Sequence, residues 1–142
     1  AAARPAQFAV VGTEIYAASM SGSGSYNATG NSRPYGHIRD NTKIEAGRKF
    51  QRQQREKILE ANRQRNGGKL MSDDPADPWY GKELEGPGPR RYGGDTVPAN
   101  EAQVDHLVPR IGPDGKPLGT NAYSNARVIS AEYNNMLRNR PR

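Results

Sequence analysis

The stretch QVDHLVPR, residues 103–110, places a carboxylate and an imidazole side by side in a chain that has only two histidines. Side chains alternate across a strand, so Asp105 and His106 should project to opposite sides where this short apolar run ends. One residue could then hold a metal ion while the other activates a water molecule beside it. Taken alone, an Asp-His dipeptide is common, and its ordinary meaning is a strand-end histidine bonded to a backbone carbonyl.

The residues around this pair predict strand, loop, strand and helix. Gln103–Val108 and ARVIS, residues 126–130, read as strands, and AEYNNMLRNR, residues 131–140, reads as a helix that Ser130 caps. Asn134 lies about one turn into this helix, so it can face back toward the strand pair. Asp105 and Asn134 would offer two hard oxygen donors and leave the remaining positions to water and phosphate, as Mg²⁺ prefers.

Three segments, VDHLVP, SNARVIS and EYNN, closely resemble the HNH branch of the ββα-metal, or His-Me finger, endonucleases. That pattern has an Asp-His pair at the end of the first strand, a central Asn before the second strand, and a metal-binding His or Asn on the next helix. Asn125 and Asn134 are nine positions apart, as in the HNH domain of CRISPR effector nucleases. The resemblance implies an α+β fold with a small ββα-metal core.

The resemblance also implies a role for each matching residue. Asp105 and Asn134 would be the metal ligands, His106 the general base, and Asn125 the residue that braces the loop and holds the histidine. An imidazole with an unperturbed pKa of about 6.5 is mostly deprotonated at neutral pH, and a loop carbonyl would have to fix its tautomer. The Asn at the last ligand position favours Mg²⁺ or Mn²⁺ over Zn²⁺.

Composition narrows the classes of function. The chain has no cysteine, which excludes disulfides and zinc-thiolate sites. A net charge of +6 favours a polyanionic partner such as nucleic acid. Only 33% of the residues are hydrophobic, which predicts a small core. No apolar run approaches the ~18–20 residues of a membrane span.

Positive charge is concentrated before the candidate site. Residues 39–65 contain nine basic and four acidic residues, and residues 41–66 read as a helix that Gly67 and Gly68 stop. This helix could be a solvated amphipathic element, a track for phosphate groups, or both. The residues that we single out as candidate nucleic-acid contacts are all arginines: Arg52, Arg55, Arg110 and Arg127.

The predicted organisation is a flexible linker or arm over residues 1–36 and an HNH-type nuclease domain over residues 37–142, with its ββα core at about 101–140. Residues 69–100 are expected to form loops that Trp79 and Tyr80 anchor. Three aspartates, Asp73, Asp74 and Asp77, fit turns and caps better than a calcium loop. His37 has no partner in sequence and is expected to be structural or solvated.

The resulting hypothesis is a metal-dependent, largely sequence-nonspecific DNA endonuclease. The chain also loosely resembles the C-terminal toxin domains of bacterial polymorphic toxins of the Rhs and contact-dependent kinds. That resemblance implies a larger polypeptide, secretion or delivery into the cytoplasm of a target cell, and an immunity protein with an acidic surface. The alternatives are an RNase that uses the same site and a non-catalytic basic module that binds nucleic acid.

Overall fold

The computed structural model of the chain describes residues 33–88 and 96–138. Within these ranges the helices are α1, Arg52–Arg65, and α2, Ala131–Arg138, and the strands are β1, Ala102–His106, and β2, Ala126–Ser130. A short 3₁₀ helix, Tyr123–Asn125, leads into β2. The strands form an antiparallel sheet. The α+β class and the order strand, loop, strand, helix are as predicted, and β2 has the predicted bounds.

The sheet separates two sets of side chains because paired residues of antiparallel strands share a face. His106 is opposite Ala126, and Asp105 is opposite Arg127. The His106 face meets the segment that precedes α1, since the imidazole stacks on Phe50. The Asp105 face meets α2, since Gln103 on that face accepts a hydrogen bond from the Asn134 side chain.

The buried core lies mainly between α1 and the sheet, and it includes Ile58, Leu59 and Val128. Tyr35 belongs to it as well: the side chain is fully buried and its hydroxyl donates to Asp73 Oδ2 at 2.7 Å. The folded unit therefore includes residues that the sequence assigned to the arm. Residues 1–32 of that arm lie outside the described residues.

The helix predicted over residues 41–66 is wrong at its start and correct at its end. Residues 41–51 are not helical, and α1 begins only at Arg52. Gly47 has φ +82°, which a right-handed helix cannot contain, and its N–H donates to the Gly119 carbonyl at 2.8 Å. Tertiary pairing with the loop between the strands thus replaces helical hydrogen bonds in this segment. The helix ends before Gly67 and Gly68, both of which have positive φ.

Residues 69–88 are loops and turns, as predicted, and they hold α2 in place. Trp79 is partly buried against the core, and its Nε1 donates to Glu132 Oε1 at 3.0 Å. Tyr80 is 52% exposed, so the expectation that it anchors this loop is wrong. Asp77 receives hydrogen bonds from Ser130, whose hydroxyl in turn accepts the N–H of Tyr133 at 3.0 Å and caps α2.

Asp73 joins this loop to the sheet. Its N–H donates to the Val128 carbonyl at 2.8 Å, and its Oδ2 accepts the Val128 N–H at 2.7 Å. Arg65 at the end of α1 donates to Oδ1 at 2.6 Å. The aspartate therefore fastens the helix and β2 to each other, a tertiary role beyond the predicted turn. In the described part of the chain, no helix has the length and apolar character that crossing a membrane requires.

Candidate active site

A pocket of about 230 Å³ opens where β1 ends, between the strand pair and α2. Asp105, His106 and Asn134 all line it, so the fold brings together the three residues that the sequence proposed for the chemistry. The other residues around the pocket are Leu107, Pro109, Arg127, Leu137 and Arg138. Asn125 is not among its lining residues.

The imidazole of His106 is held in one tautomer. Its Nε2 lies 3.1 Å from the carbonyl oxygen of Arg48. Because a carbonyl only accepts, Nε2 carries the proton and Nδ1 keeps the lone pair. The ring also stacks on Phe50, with centroids 4.2 Å apart and planes at 29°. The sequence predicted that a loop carbonyl would fix the tautomer. In the structure this carbonyl belongs to Arg48, in the non-helical segment before α1, and Phe50 of the same segment stacks on the ring.

The surroundings of His106 lower its pKa below the ordinary value. Burial is the main cause, and the Arg110 charge acts in the same direction. The hydrogen bond to Arg48 and the Asp105 carboxylate oppose it without reversing it. The imidazole is therefore neutral at neutral pH, which is the form that a general base needs.

Asn125 fixes the chain that leaves β1. Its Oδ1 accepts the N–H of Val108 at 2.8 Å, and its Nδ2 donates to the carbonyls of Val108 at 3.2 Å and Thr120 at 2.8 Å. The Asn125 carbonyl also accepts the N–H of Leu107 at 2.8 Å. Asn125 therefore holds the backbone of both Leu107 and Val108, the two residues that follow His106. This geometry suits the bracing role that the resemblance implies.

Asp105 is oriented by the residue opposite it on β2. Oδ2 of Asp105 accepts hydrogen bonds from Nε and Nη2 of Arg127 at 3.0 and 2.9 Å. The third nitrogen of the guanidinium, Nη1, donates to Asp74 Oδ2 at 2.8 Å. One positive charge is therefore shared between two carboxylates, and Asp105 keeps part of its negative charge and its other oxygen, Oδ1.

Asn134 is oriented in a similar way. Its Nδ2 donates to Gln103 Oε1 at 2.7 Å, which directs the amide nitrogen toward β1. Among the described residues, no protein donor contacts Oδ1 of Asn134 or Oδ1 of Asp105. Two hard oxygens on one pocket fit the ligand chemistry of Mg²⁺ or Mn²⁺. No group of three or more His, Cys, Asp or Glu suited to a metal occurs within residues 33–88 and 96–138.

The four arginines proposed to contact nucleic acid all have protein partners. Arg127 bonds Asp105 and Asp74, and Arg110 donates to the Gly47 carbonyl at 2.8 Å. On α1, Arg52 pairs with Glu56 at 3.1 Å but remains largely exposed. Arg55 donates to the Phe50 carbonyl at 2.7 Å. Contact with nucleic acid stays a prediction for these four.

Sequence reasoning missed Arg48, Phe50, Gln103 and Asp74, which orient the predicted residues. Only Gln103 carried a local signal, since a residue two positions before Asp105 on a strand shares its face. The other three reach the site through long-range contacts. His37 is exposed, as expected of a solvated residue. Comparison of the chain with protein-family models, with curated proteins and with solved structures gave no match.

Proposed function

We propose that this protein is a metal-dependent endonuclease that hydrolyses phosphodiester bonds in DNA, with an HNH-type ββα site. One observation carries the proposal: His106, whose neutral imidazole is fixed in one tautomer, lines the same pocket as Asp105 and Asn134, and no donor in the described part of the chain contacts the Oδ1 atom of either residue. Each property has a use in phosphodiester hydrolysis. The base must accept a proton from water, and the oxygens must present negative or dipolar charge to a hard cation.

In the proposed reaction, Nδ1 of His106 takes a proton from the water that attacks phosphorus. Nε2–H stays bonded to the Arg48 carbonyl, so the ring keeps its orientation as its charge changes. The adjacent Asp105 carboxylate stabilises the imidazolium that forms. Phe50 stacks on one ring face and so contributes to the burial of the ring, the main cause of the lowered pKa of His106.

Asp105 and Asn134 would hold the divalent ion through their Oδ1 atoms. When bound, such an ion supplies electrostatic stabilisation of the charge that accumulates on the phosphate oxygens. Arg127 lines the same pocket and is fixed by two carboxylates, so its position is set before substrate arrives. The net charge of +6 supports binding that depends on the phosphate backbone and on ionic strength more than on base sequence.

Plasmid cleavage tests the proposal. Supercoiled DNA should be nicked and linearised in Mg²⁺ or Mn²⁺, and EDTA should abolish the reaction. His106→Ala should lower the rate by about 10²–10⁴-fold, the usual contribution of a general base, while the protein stays folded and still binds DNA. His37→Ala is the matched control, because that histidine is exposed and should leave the rate unchanged.

Other outcomes have distinct meanings. Cleavage of RNA but not DNA would keep the site and replace the substrate. Binding of nucleic acid without cleavage under any divalent ion would leave only a basic binding module. Equal rates for His106→Ala and wild type would remove the general base from the mechanism.

We further propose that the nuclease acts as the C-terminal toxin domain of a secreted antibacterial polymorphic toxin and is neutralised by an acidic immunity protein. The positive net charge supports this choice of partner surface by charge complementarity. Cytoplasmic expression should then kill bacteria, and His106→Ala should not. A neutralising partner that binds through apolar surface far from Asp105 would contradict the charge argument.

A further inference from the structure

A row of polar side chains connects a buried carboxylate to Asn134. Glu101, directly before β1, is buried, and its Oε1 accepts a hydrogen bond from Gln103 Nε2 at 3.4 Å. Gln103 Oε1 then accepts the Asn134 Nδ2 at 2.7 Å. The second oxygen of Glu101, Oε2, accepts the N–H of Gly88 at 3.0 Å. One amide, Gln103, and one carboxylate, Glu101, thus lie in series behind the proposed ion ligand.

The chemistry of these groups fixes the direction of the series. An ionised carboxylate only accepts hydrogen bonds, so Glu101 requires Gln103 to present its NH₂ end. The oxygen of Gln103 then faces Asn134, so Asn134 must donate to it from its own NH₂ group. Only the Oδ1 of Asn134 remains for the pocket. If Gln103 turned over, its oxygen would face the Glu101 carboxylate and its NH₂ group would face the Asn134 NH₂ group. If Asn134 turned over, its oxygen would face the Gln103 oxygen, and that hydrogen bond would be lost.

We propose that Glu101 and Gln103 are positioning residues that set the Asn134 amide so that its oxygen, and not its nitrogen, faces the divalent ion. The inference rests on the proposed metal-dependent function. An asparagine ligand must be oriented, because its amide carries an oxygen that can bind a cation and an NH₂ group that repels one. Both oxygens of a carboxylate can bind a cation, so a carboxylate ligand lacks this requirement. A ligand asparagine therefore depends on a neighbour that distinguishes its two ends, and outer groups of this kind tune metal affinity.

Gln103→Met tests the inference, because methionine has a similar length and no strong hydrogen bond to offer Asn134. The first readout is the Asn134 side-chain NH₂ signal in ¹⁵N NMR spectra of the metal-free protein, assigned by its loss in Asn134→Leu. In wild type one of the two protons should resonate downfield, as a hydrogen-bonded proton does. In Gln103→Met that shift should disappear.

The second readout is Mn²⁺ affinity, measured by titration of the protein alone. Gln103→Met should bind Mn²⁺ about 10- to 100-fold more weakly than wild type, as outer-group mutations typically do. Glu101→Gln should show a smaller loss, since Gly88 or Gln103, which both donate to the carboxylate, would then face an NH₂ group. Gln53→Met, at an exposed position of α1, is the control and should bind as wild type does.

Unchanged Asn134 signals in Gln103→Met would overturn the inference, whatever the metal does. Equal Mn²⁺ affinity in wild type and Gln103→Met would overturn it as well, provided that Asn134→Leu weakens binding. The Asn134 signal could shift in Gln103→Met while the wild-type protein binds no Mn²⁺. That result would support the orientation of Asn134 by Gln103 and would remove the ion from the proposed function.

Discussion

Asp77 should be the ionised group on which the position of α2 depends most strongly. The residue is 3% exposed and accepts four hydrogen bonds. Oδ2 receives Ser72 Oγ at 2.8 Å and the Ser130 N–H at 2.7 Å. Oδ1 receives Ser130 Oγ at 2.7 Å and the Trp79 N–H at 2.9 Å. Each oxygen therefore meets one backbone donor that cannot rotate away.

Asp77→Asn is the informative change because it keeps the shape of the side chain. Whichever way the new amide turns, its NH₂ group faces a backbone N–H, so one backbone donor and one amide donor lose their acceptors. At about 1–3 kcal/mol for each of these two buried groups, the free energy of unfolding should fall by about 2–6 kcal/mol. Asp114→Asn is the control: this exposed carboxylate accepts the Lys116 N–H at 3.0 Å, and an amide oxygen can accept the same hydrogen bond.

The pH dependence of this effect has a definite sign. Burial opposes ionisation of Asp77, but the hydrogen bonds from Ser130, Trp79 and Ser72 outweigh it and lower its pKa below the ordinary 3.8. A group with a lowered folded pKa stabilises the protein above its unfolded pKa, and this contribution is lost as the pH falls through the folded pKa. The stability gap between wild type and Asp77→Asn should be constant near neutral pH and should shrink below pH 3.8.

Urea unfolding, followed by circular dichroism at several pH values, measures both effects. The midpoint should fall in Asp77→Asn with little change in the slope m. A loss below about 1 kcal/mol, similar to that of Asp114→Asn, would refute the reasoning, because it would mean that the backbone donors find other acceptors. A gap that widens as the solution is acidified would contradict the sign of the pKa shift.

Two further predictions concern the chain on either side of the site. Asn125→Ala leaves the N–H of Val108 without its acceptor and should lower the free energy of unfolding by about 2–4 kcal/mol; a cleavage rate and a stability both equal to wild type would show that it braces nothing. Gly119→Ala should destabilise the protein far more than Gly115→Ala, because a Cβ at Gly119 overlaps the Val108 carbonyl whereas Gly115 has open space around it. Gly115→Ala should cost about 1 kcal/mol for its positive φ, and similar midpoints in urea for the two variants would contradict this packing.

The C-terminal elements could be predicted from the sequence because their signals are local. ARVIS is a short, mainly apolar run, which predicts a strand, and Ser130 precedes a helical pattern. The spacing of Asp105, His106 and Asn134 was sufficient to place them on one pocket, since strand pairing and the first turn of a capped helix fix their relative positions.

The supporting contacts could not be predicted in the same way because they join distant parts of the chain. Residues 41–51 carry helix-forming composition, yet Gly47 pairs with Gly119 and the Arg48 carbonyl reaches His106, 58 positions later. From the sequence, Arg127 was a candidate contact for phosphate. In the structure its guanidinium already forms ion pairs with Asp74, 53 positions away, and with Asp105. Tertiary hydrogen bonds override local propensity at these points.

The most direct test of the account is an anomalous difference map from a crystal of the wild-type protein soaked in Mn²⁺. The account predicts a peak in the pocket, within ligand distance of Oδ1 of both Asp105 and Asn134, with His106 Nδ1 facing the space beside it. A peak held by other residues, or a well-ordered pocket with no peak at saturating Mn²⁺, would contradict the claim that these three side chains form one metal-dependent site.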